Sequence, residues 1–145
     1  MIKVLVKKLN PDVQLPAYKT SGASGMDLMA FIEKTIRLLP NTSCVVPTGL
    51  SVAFSPEYEI QIRPRSGLAA KNNITILNTP GTIDSDYRGE IKVILINLSK
   101  EKFVVRPLER IAQMIFSNVT KVEFKEVDSL DDTARGQGGF GSTGK

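Results

Sequence analysis

Histidine is absent from the 145-residue chain, and cysteine occurs only once. The lack of histidine excludes imidazole general bases, Ser-His and Cys-His nucleophile pairs and the usual nitrogen ligands of zinc. Any catalysis must therefore use carboxylates, lysine, tyrosine or a bound metal ion. Cys44 has no partner for an internal disulfide, and its neighbours Ser43 and Val45 indicate a small residue in a strand. A single unpaired cysteine fits a reducing cytoplasm, where we expect the protein to be located.

Long apolar segments are also missing from the sequence. The longest aliphatic run, 93–96, is far shorter than the roughly 20 apolar residues that span a bilayer. Residues 1–10 lack the apolar block of a signal peptide. We therefore expect a soluble protein with no membrane partner. The net charge of +4 is modest, and the basic residues are too dispersed for a nucleic-acid-binding run. Small polyphosphates are more plausible partners, although charge that merely aids solubility explains the composition equally well.

Frequent prolines and glycines exclude long helices and leave short segments rich in β-branched and aromatic residues. Such segments predict strands, and they lie at 2–6, 35–39, 43–46, 50–54, 58–62, 74–77, 90–98, 102–105, 110–117 and 119–124. One short helix is predicted over 66–73, with Ser66 as its N-cap and Asn72 near its C-cap. The nearly uniform apolarity of 91–98 indicates a strand buried on both faces, in a sandwich or at an oligomer centre. The pattern predicts an all-β, jelly-roll-like distorted barrel.

The composition changes after about residue 127, where glycine becomes frequent and apolar residues become rare. We expect one β-barrel domain over 1–127 and a flexible, glycine-rich C-terminal arm over 128–145. Residues 136–141 match Gly-x-Gly-x-x-Gly and 139–145 match the start of a Walker A loop, but neither has the preceding strand and following helix that these motifs require. The arm could still wrap phosphates and stack an aromatic ring on a base. The alternative is a disordered tail without function.

Two further segments could carry chemistry. Residues 63–67 join a strand to the predicted helix, where backbone N–H groups, a hydroxyl and a guanidinium could bind an anion. A capped loop with a solvated arginine is the more common explanation of such a segment. Residues 78–90 contain turn-forming residues and should form a hairpin or an irregular ribbon whose exposed backbone could recognise a flat base. The acids of this ribbon, Asp84, Asp86 and Glu90, are candidates for catalysis, but they are equally compatible with turn formation.

Together, and in this order, five segments of the chain resemble the motifs of the trimeric dUTP pyrophosphatase family. They lie at 23–28, 64–68, 81–90, 109–113 and 135–144. One departure is visible at Leu108, where this family often has glycine, and it puts a turn in doubt. The resemblance implies a homotrimer with active sites shared between subunits and a β-clip fold of the dUTPase type.

The resemblance also implies a reaction, the hydrolysis of dUTP to dUMP and pyrophosphate. Water would attack the α-phosphorus in line, with Mg²⁺ on the triphosphate. Asp84 would be the catalytic residue that activates the water and holds the 3′-hydroxyl, which agrees with a chain that must use a carboxylate. Asp27 would reach the magnesium ion through coordinated water, as suits a cation that keeps much of its hydration shell.

The resemblance assigns the remaining substrate contacts to four groups of residues. Asn78 and the backbone through Thr82 and Ile83 would recognise uracil, and the ribbon would exclude the methyl group of thymine. Tyr87 would pack beneath the deoxyribose and exclude a 2′-hydroxyl. The phosphate contacts would come from Arg65, Ser66, Gly67 and Gln113. Lys92 would complete the set of residues around the substrate. In the arm, Arg135 would approach the terminal phosphates, while Phe140 would cover the uracil beside Gly141.

Two other functions are weighed against this one. A dCTP deaminase of the same superfamily should carry a Ser-Ser-x-x-Arg segment, whereas residues 66–70 lack the second serine and the arginine. A trimeric nucleotide-binding module without catalysis would be expected to lose either the Asp84 carboxylate or the arm, and both are present in this sequence.

Overall fold

The computed structural model describes residues 2–139, in which eleven strands and one helix are found. The strands are short because proline, glycine and asparagine interrupt the apolar segments every few residues. In chain order they are β1 (Leu5–Lys8), β2 (Met26–Met29), β3 (Ile36–Leu38), β4 (Ser43–Pro47), β5 (Leu50–Ala53), β6 (Tyr58–Arg63), β7 (Ile74–Ile76), β8 (Gly81–Ile83), β9 (Lys92–Asn97), β10 (Phe103–Val105) and β11 (Arg110–Asn118). Helix α1 (Ser66–Asn72) lies between β6 and β7.

The strands form four antiparallel sheets. The largest has four strands in the order β2-β11-β6-β8, and a second has the order β4-β9-β7. Two strand pairs, β1-β5 and β10-β3, complete the set among the described residues. The arrangement is jelly-roll-like, as predicted. The sheets do not close into a true barrel, because each of them ends in two edge strands.

Alternating residues of these strands meet in one apolar core. The core is built from Val13, Leu28, Ala30, Leu38, Val46, Leu50, Val52, Ile60, Ile62, Ile74, Ile76, Ile91, Val93, Leu95, Val105, Ile111, Ala112 and Met114. Each side chain of this size contributes about 1.5–3 kcal/mol when it is fully removed from water. The core supports the four-stranded sheet, and that sheet carries the candidate site residues Asp27, Thr82, Ile83 and Gln113.

Strand β9 is not buried on both faces within one chain, so it does not lie inside a sandwich, and burial at an oligomer centre stays a prediction. Its Val93 and Leu95 are buried, but Ile94 is only half-buried. Val45, which lies opposite Ile94 on β4, is 57% exposed. The apolar run therefore covers the core with one face, and within this chain the other face remains partly open.

Helix α1 confirms the predicted helix and corrects both of its caps. The N-cap is Arg65, in an extended conformation and without a side-chain capping hydrogen bond, so Ser66 already belongs to the helix. The C-cap is Asn73 instead of Asn72. Its φ of 53° is left-handed, and its N–H donates to the carbonyls of the last turn, a conformation that asparagine tolerates better than most residues. No helix among residues 2–139 is long and apolar enough to span a membrane.

The strand predictions differ from the structure in four places. The first strand begins at Leu5 and not at residue 2, and β2 and β8 were not predicted. The predicted strand over 119–124 is absent, since residues 119–139 lie outside every strand and helix of the described chain. Two apolar residues of that segment are largely exposed, Val122 at 72% and Phe124 at 94%. The alternating pattern is present there, but no neighbouring strand of the same chain pairs with it.

The turn that precedes β11 forms with Leu108 at the position where the family often has glycine. Leu108 has a φ of 60° and follows Pro107, and the N–H of Glu109 donates to the carbonyl of Arg106 at 3.2 Å. Proline followed by a left-handed residue is the pattern of a type II turn, which favours glycine at the second central position. Leu108 therefore adopts a conformation that costs roughly 1–2 kcal/mol for a residue with a side chain.

Candidate active site

The four-stranded sheet brings four of the five sequence motifs side by side. Asp27 on β2 lies opposite Gln113 on β11, and Gln113 lies opposite Arg63 on β6. On the other edge of β6, Gln61 lies opposite Thr82 of β8. Motifs that are far apart in the sequence thus share one rigid scaffold, as a binding site requires.

Asp27 is held between two arginines at one end of this sheet. Nε of Arg65 donates to Oδ1 of Asp27 at 3.0 Å, and Nη1 of Arg110 donates to Oδ2 at 3.3 Å. Nη1 of Arg65 also donates to the carbonyl oxygen of Arg110 at 3.0 Å. The Asp27 side chain is only 16% exposed, whereas that of Arg110 is 51% exposed. This arginine–carboxylate cluster presents net positive charge to solvent, a property that suits an anionic ligand.

The two residues that follow Arg65 in the chain are exposed to solvent. Ser66 and Gly67 form the first turn of α1, and both are exposed. A Cβ atom added to Gly67 would have no atom within 4 Å. Backbone groups here are accessible to a ligand, and Gly67 leaves room for its approach. Gln113 is half-buried on the neighbouring strand. Its side-chain oxygen lies close to Gly25, since a Cβ atom added to that glycine would be 3.1 Å from it.

A second group of predicted residues surrounds a cavity of about 230 Å³ beside β8. Thr82, Ile83, Asp84, Tyr87 and Lys92, all of them predicted site residues, line it together. Its other walls are Val45, Glu90 and Ile94. The cavity combines an apolar wall, an aromatic ring and a carboxylate, which is the character of a pocket for a small polar molecule.

Strand β8 is an edge strand, so only one of its two sides is paired with β6. Unpaired backbone groups on the open side can form hydrogen bonds to a planar ligand. The side chain of Asn78 lies close to the start of the strand, since a Cβ atom added to Gly81 would be 3.2 Å from its Nδ2 atom. The segment 78–90 is therefore an irregular ribbon and not a hairpin closed on itself.

The cavity and the arginine–carboxylate cluster lie at opposite ends of β6. Ile83, next to Asp84, lies opposite Ile60, while Arg65 follows the far end of the strand at Arg63. At about 3.3 Å per residue, Asp84 and Arg65 of one chain are roughly 20 Å apart. One chain therefore carries two separate half-sites, and the predicted residues are not united into a single site within it.

The C-terminal segment is only partly described. Nε of Arg135 donates to the carbonyl of Gly138 at 2.9 Å, within a turn exposed to solvent. Arg135 therefore contacts its own turn and neither half-site. The predicted site residues Phe140 and Gly141 lie outside the described residues.

The side chains near Asp27 offer few of the oxygen ligands that a magnesium ion requires. No group of three or more His, Cys, Asp or Glu side chains that could hold a metal occurs among residues 2–139. Asp27 offers a single carboxylate, and both of its oxygens accept hydrogen bonds from arginine. Such a site does not suit an ion held by protein alone. It suits a hydrated ion that is bound mainly by phosphate oxygens, because Mg²⁺ commonly keeps several waters.

Two residues of the half-sites make contacts that the sequence did not predict. Arg110 completes the cluster around Asp27, and Glu90 lines the cavity and accepts a hydrogen bond from the N–H of Gly49 at 2.8 Å. Arg110 lies in a recognised segment, three residues before Gln113. That spacing could have indicated it, but its contact with Asp27 depends on the pairing of distant strands.

Cys44 is a half-buried residue of β4, as its neighbours predicted. Burial raises the pKa of its thiol above the ordinary value. A raised pKa keeps the thiol protonated to higher pH and lowers its reactivity, because the thiolate is the nucleophile. Cys44 is therefore a packing residue.

Comparison with known proteins identifies the family. The sequence profile of the dUTPase family matches residues 12–144. The chain belongs to the dUTPase family. It is 54% identical over 146 residues to the deoxyuridine 5′-triphosphate nucleotidohydrolase of Fusobacterium nucleatum subsp. nucleatum, and the match covers all of both chains. It is also 54% identical to the protein of the same name from Wolinella succinogenes, over 99% of this chain and 95% of the relative.

Solved dUTPase structures share its fold. The dUTPase of Staphylococcus bacteriophage 80alpha, in a complex with dUpNHpp, aligns with a TM-score of 0.84 and 23% identity over 99% of both chains. A dUTPase from phage phi11 of S. aureus, described with a structural Mg(II) ion, aligns with a TM-score of 0.78 and 19% identity over 88% of this chain and 97% of its own. At these identities the likeness shows the fold alone, and it confirms the predicted dUTPase-like architecture.

Proposed function

We propose that this dUTPase-family chain hydrolyses dUTP to dUMP and pyrophosphate. The observation that carries the proposal is the cavity in which Asp84 and Tyr87 lie beside the open edge of β8. It offers a carboxylate, an aromatic surface and unpaired backbone groups, which are the elements needed to bind a deoxyuridine and activate water next to it. The names of the two relatives described above support the same reaction.

Asp84 is the proposed catalytic residue. Its carboxylate accepts a proton from a water molecule, whose oxygen attacks the α-phosphorus while the bond to the bridging oxygen of the leaving pyrophosphate breaks. The same carboxylate accepts a hydrogen bond from the 3′-hydroxyl and so aligns the sugar. A carboxylate must serve here because the chain has no histidine, and a positioned base of this kind contributes about 10²–10⁴-fold to the rate.

Base and sugar selection are assigned to the ribbon. Asn78 and the backbone of Thr82 and Ile83 recognise the edge of uracil, and the nearby ribbon leaves no room for a methyl group on carbon 5. The ring of Tyr87 packs beneath the deoxyribose and excludes a 2′-hydroxyl. Cytosine reverses a donor and an acceptor of the uracil edge, and such a mismatch can lower the specificity constant by about 10⁴-fold.

The phosphates are assigned to the cluster at the other end of the sheet. Arg65 and Gln113 contact phosphate oxygens together with Ser66 and Gly67. Lys92 completes the set of residues around the substrate from the cavity side. We propose Mg²⁺ as the cofactor, with Asp27 contacting its coordinated water. When bound, the ion neutralises charge on the triphosphate and so favours attack at the α-phosphorus.

The separation of the half-sites supports a homotrimer with shared active sites. The α-phosphorus lies next to the other phosphates in dUTP, so the base that activates water and the groups that bind phosphate must lie close together. Asp84 and Arg65 of one chain are roughly 20 Å apart, judged from strand geometry. We therefore propose that Asp84 of one subunit acts with Arg65 of another. A closed ring of three subunits provides three identical sites of this kind.

Exposed apolar residues also support association of the subunits. Val45 is 57% exposed on the β4–β9 face, and Phe124 is 94% exposed in the segment after β11. Side chains of this kind are stabilised when a neighbouring chain covers them. Light scattering should give a mass of roughly three times the 15.9 kDa of one chain if the assembly is a ring of three. A monomeric mass for the active enzyme would exclude shared sites.

We also propose the domain organisation suggested by the sequence, with a β domain over 1–127 and an arm over 128–145 that closes over bound nucleotide. In this proposal Arg135 approaches the terminal phosphates, Phe140 stacks on uracil and Gly141 lies beside them. The exposed turn at 133–138 is consistent with an arm that gains its contacts from the ligand. Removal of residues 135–145 should abolish most turnover and leave the melting temperature nearly unchanged; a large fall in melting temperature would make the arm structural.

A substrate panel tests the proposed reaction. Purified protein with MgCl₂ is offered dUTP, dTTP, dCTP or UTP, and monophosphate and pyrophosphate are measured. We expect turnover of dUTP to exceed that of dCTP by about 10⁴-fold, with dTTP and UTP also poor substrates. Equal turnover of dUTP and dTTP would contradict the proposed base selection. Release of ammonia from dCTP would instead indicate a deaminase, and binding of dUTP without turnover would indicate a non-catalytic module.

A further inference from the structure

The carboxylate of Glu90 ties the cavity to the core of the protein. The N–H of Gly49, in the turn between β4 and β5, donates to Oε1 of Glu90 at 2.8 Å. The next residue, Ile91, is held to the same turn twice. Its carbonyl accepts a bond of 2.6 Å from Oγ1 of Thr48, and its N–H donates to the carbonyl of Leu50 at 2.8 Å. The end of the ribbon is therefore fixed by three hydrogen bonds to one tight turn.

The donor at Gly49 cannot shift to suit another arrangement. Its φ of 71° is left-handed, and a Cβ atom at this position would lie only 2.5 Å from Cγ2 of Val13. The carbonyl of Gly49 also accepts a bond from the N–H of Leu9 at 2.8 Å. Because the glycine is confined on both sides, the position of its N–H determines where the Glu90 carboxylate must lie.

The ring of Tyr87 takes its position from Glu90 in turn. The hydroxyl of Tyr87 donates to the backbone carbonyl oxygen of Glu90 at 3.0 Å, so this bond depends on where the backbone of Glu90 lies. Gly89 lies directly against the ring, since a Cβ atom there would be 2.3 Å from the Tyr87 hydroxyl oxygen. The ring is 43% exposed, so packing alone leaves it free to move, and this hydrogen bond fixes its outer end.

We propose that Glu90 is a positioning residue for sugar selection, which acts by anchoring Tyr87 through the Gly49–Glu90 hydrogen bond. The inference rests on the proposed function, in which the Tyr87 ring excludes a 2′-hydroxyl. An anchored ring excludes ribose sterically, whereas a ring that can tilt makes room for it. Loss of the anchor should therefore improve the use of UTP relative to dUTP, in addition to any effect on overall rate.

An alternative role for Glu90 is to hold Lys92, because Nζ of Lys92 lies 3.8 Å from Oε2 of Glu90. Glu90→Gln separates the two roles. The amide oxygen of glutamine can still accept the hydrogen bond from Gly49, whereas the charge that attracts Lys92 is gone. Glu90→Ala removes both interactions.

The test is the ratio of kcat/KM for dUTP to kcat/KM for UTP in the wild type and in the Glu90→Ala, Glu90→Gln and Tyr87→Phe variants. We expect Glu90→Ala and Tyr87→Phe each to lower the ratio by about 10-fold, as loss of a positioning hydrogen bond can. Glu90→Gln should keep the ratio within about 2-fold, and the double variant Glu90→Ala/Tyr87→Phe should lose no more than either single variant. The affinities for dUMP and UMP, measured by calorimetry, should change in the same pattern.

Several results would overturn the inference. An unchanged ratio in Glu90→Ala, with both substrates slowed equally, would show a general structural role. An equal loss of the ratio in Glu90→Gln would assign the effect to charge near Lys92. Tyr87→Phe alters one exposed hydroxyl and should fold normally, so an unchanged ratio there also counts against the anchor if Glu90→Ala fails to fold. Failure of the proposed function is separate, because the wild type itself would then show no preference for dUTP.

Discussion

The two ends of β6 carry half-sites of opposite character. At one end, the cavity around Asp84 is small and combines apolar walls and an aromatic ring with the side chains of Glu90 and Lys92. At the other end, Arg65 and Arg110 enclose Asp27 in a cluster with net positive charge. The first half-site suits recognition by shape and hydrogen bonding, and the second suits a polyanion. A nucleoside triphosphate has both kinds of chemistry in one molecule, whereas the two half-sites of one chain lie at opposite ends of the strand.

The largest effect should come from the cavity end. We expect Asp84→Asn to lower kcat by about 10²–10⁴-fold while nucleotide still binds, because the substitution removes the base and keeps the shape. Single-turnover rates and calorimetric binding of dUTP would measure the two properties separately. Asp86→Asn is the matched control, since Asp86 does not line the cavity, and it should retain near-normal turnover. Unchanged turnover in Asp84→Asn would remove Asp84 from the proposed role.

A smaller effect of a different kind should come from the cluster end. Arg65→Gln removes a charged contact to phosphate, which is worth about 1.5–3 kcal/mol, so KM for dUTP should rise by about 10–100-fold. The affinity for deoxyuridine, which lacks phosphates, should change little. Arg37→Gln makes the same charge change at an exposed position of β3 and should leave KM near the wild-type value. Equal weakening of deoxyuridine and dUTP binding by Arg65→Gln would show that the two half-sites do not divide the ligand as proposed.

The smallest effect concerns the turn that leads to Arg110. Leu108→Gly should relieve the left-handed strain and raise stability by up to about 1 kcal/mol, because part of the gain is lost to the greater freedom of glycine in the unfolded chain. Thermal unfolding at fixed protein concentration should show a rise of a few degrees with unchanged turnover. Asn41, with a φ of 57°, tolerates this conformation, so Asn41→Gly should give no such gain. A fall in stability would show that contacts of the Leu108 side chain outweigh the strain.

The sequence predicted the fold best where the pattern of one segment was sufficient. The alternation around Ile60 predicted β6, and the segment over 66–73 predicted α1. Strands β2 and β8 were missed because an aspartate interrupts the apolar pattern of β2 and a proline directly precedes β8. The segment 119–124 shows the opposite case, since its alternation indicates strand propensity but not whether a partner strand exists in the same chain.

The candidate site was predicted as a set of residues but not as an arrangement. The resemblance named Asp27 and Arg65, yet their contact joins residues 38 positions apart and depends on the register of three strands. Glu90 was named only as one of three candidate acids and Arg110 received no role, because the contacts of each depend on a partner that only the fold brings near. The distance between Asp84 and Arg65 likewise follows from strand pairing, and our proposal of sites shared between chains rests on it.

Mixing two impaired variants tests most directly whether the site is completed between chains. Asp84→Asn and Arg65→Gln are co-expressed or refolded together, so that both enter the same oligomers, and dUTP turnover is measured with subsaturating substrate. Shared sites should regain roughly a quarter of wild-type activity, because random mixing pairs an intact Asp84 with an intact Arg65 at about that fraction of interfaces. If the mixture is no more active than the two variants measured separately, each chain must complete its own site, and the account given for the two ends of β6 is wrong.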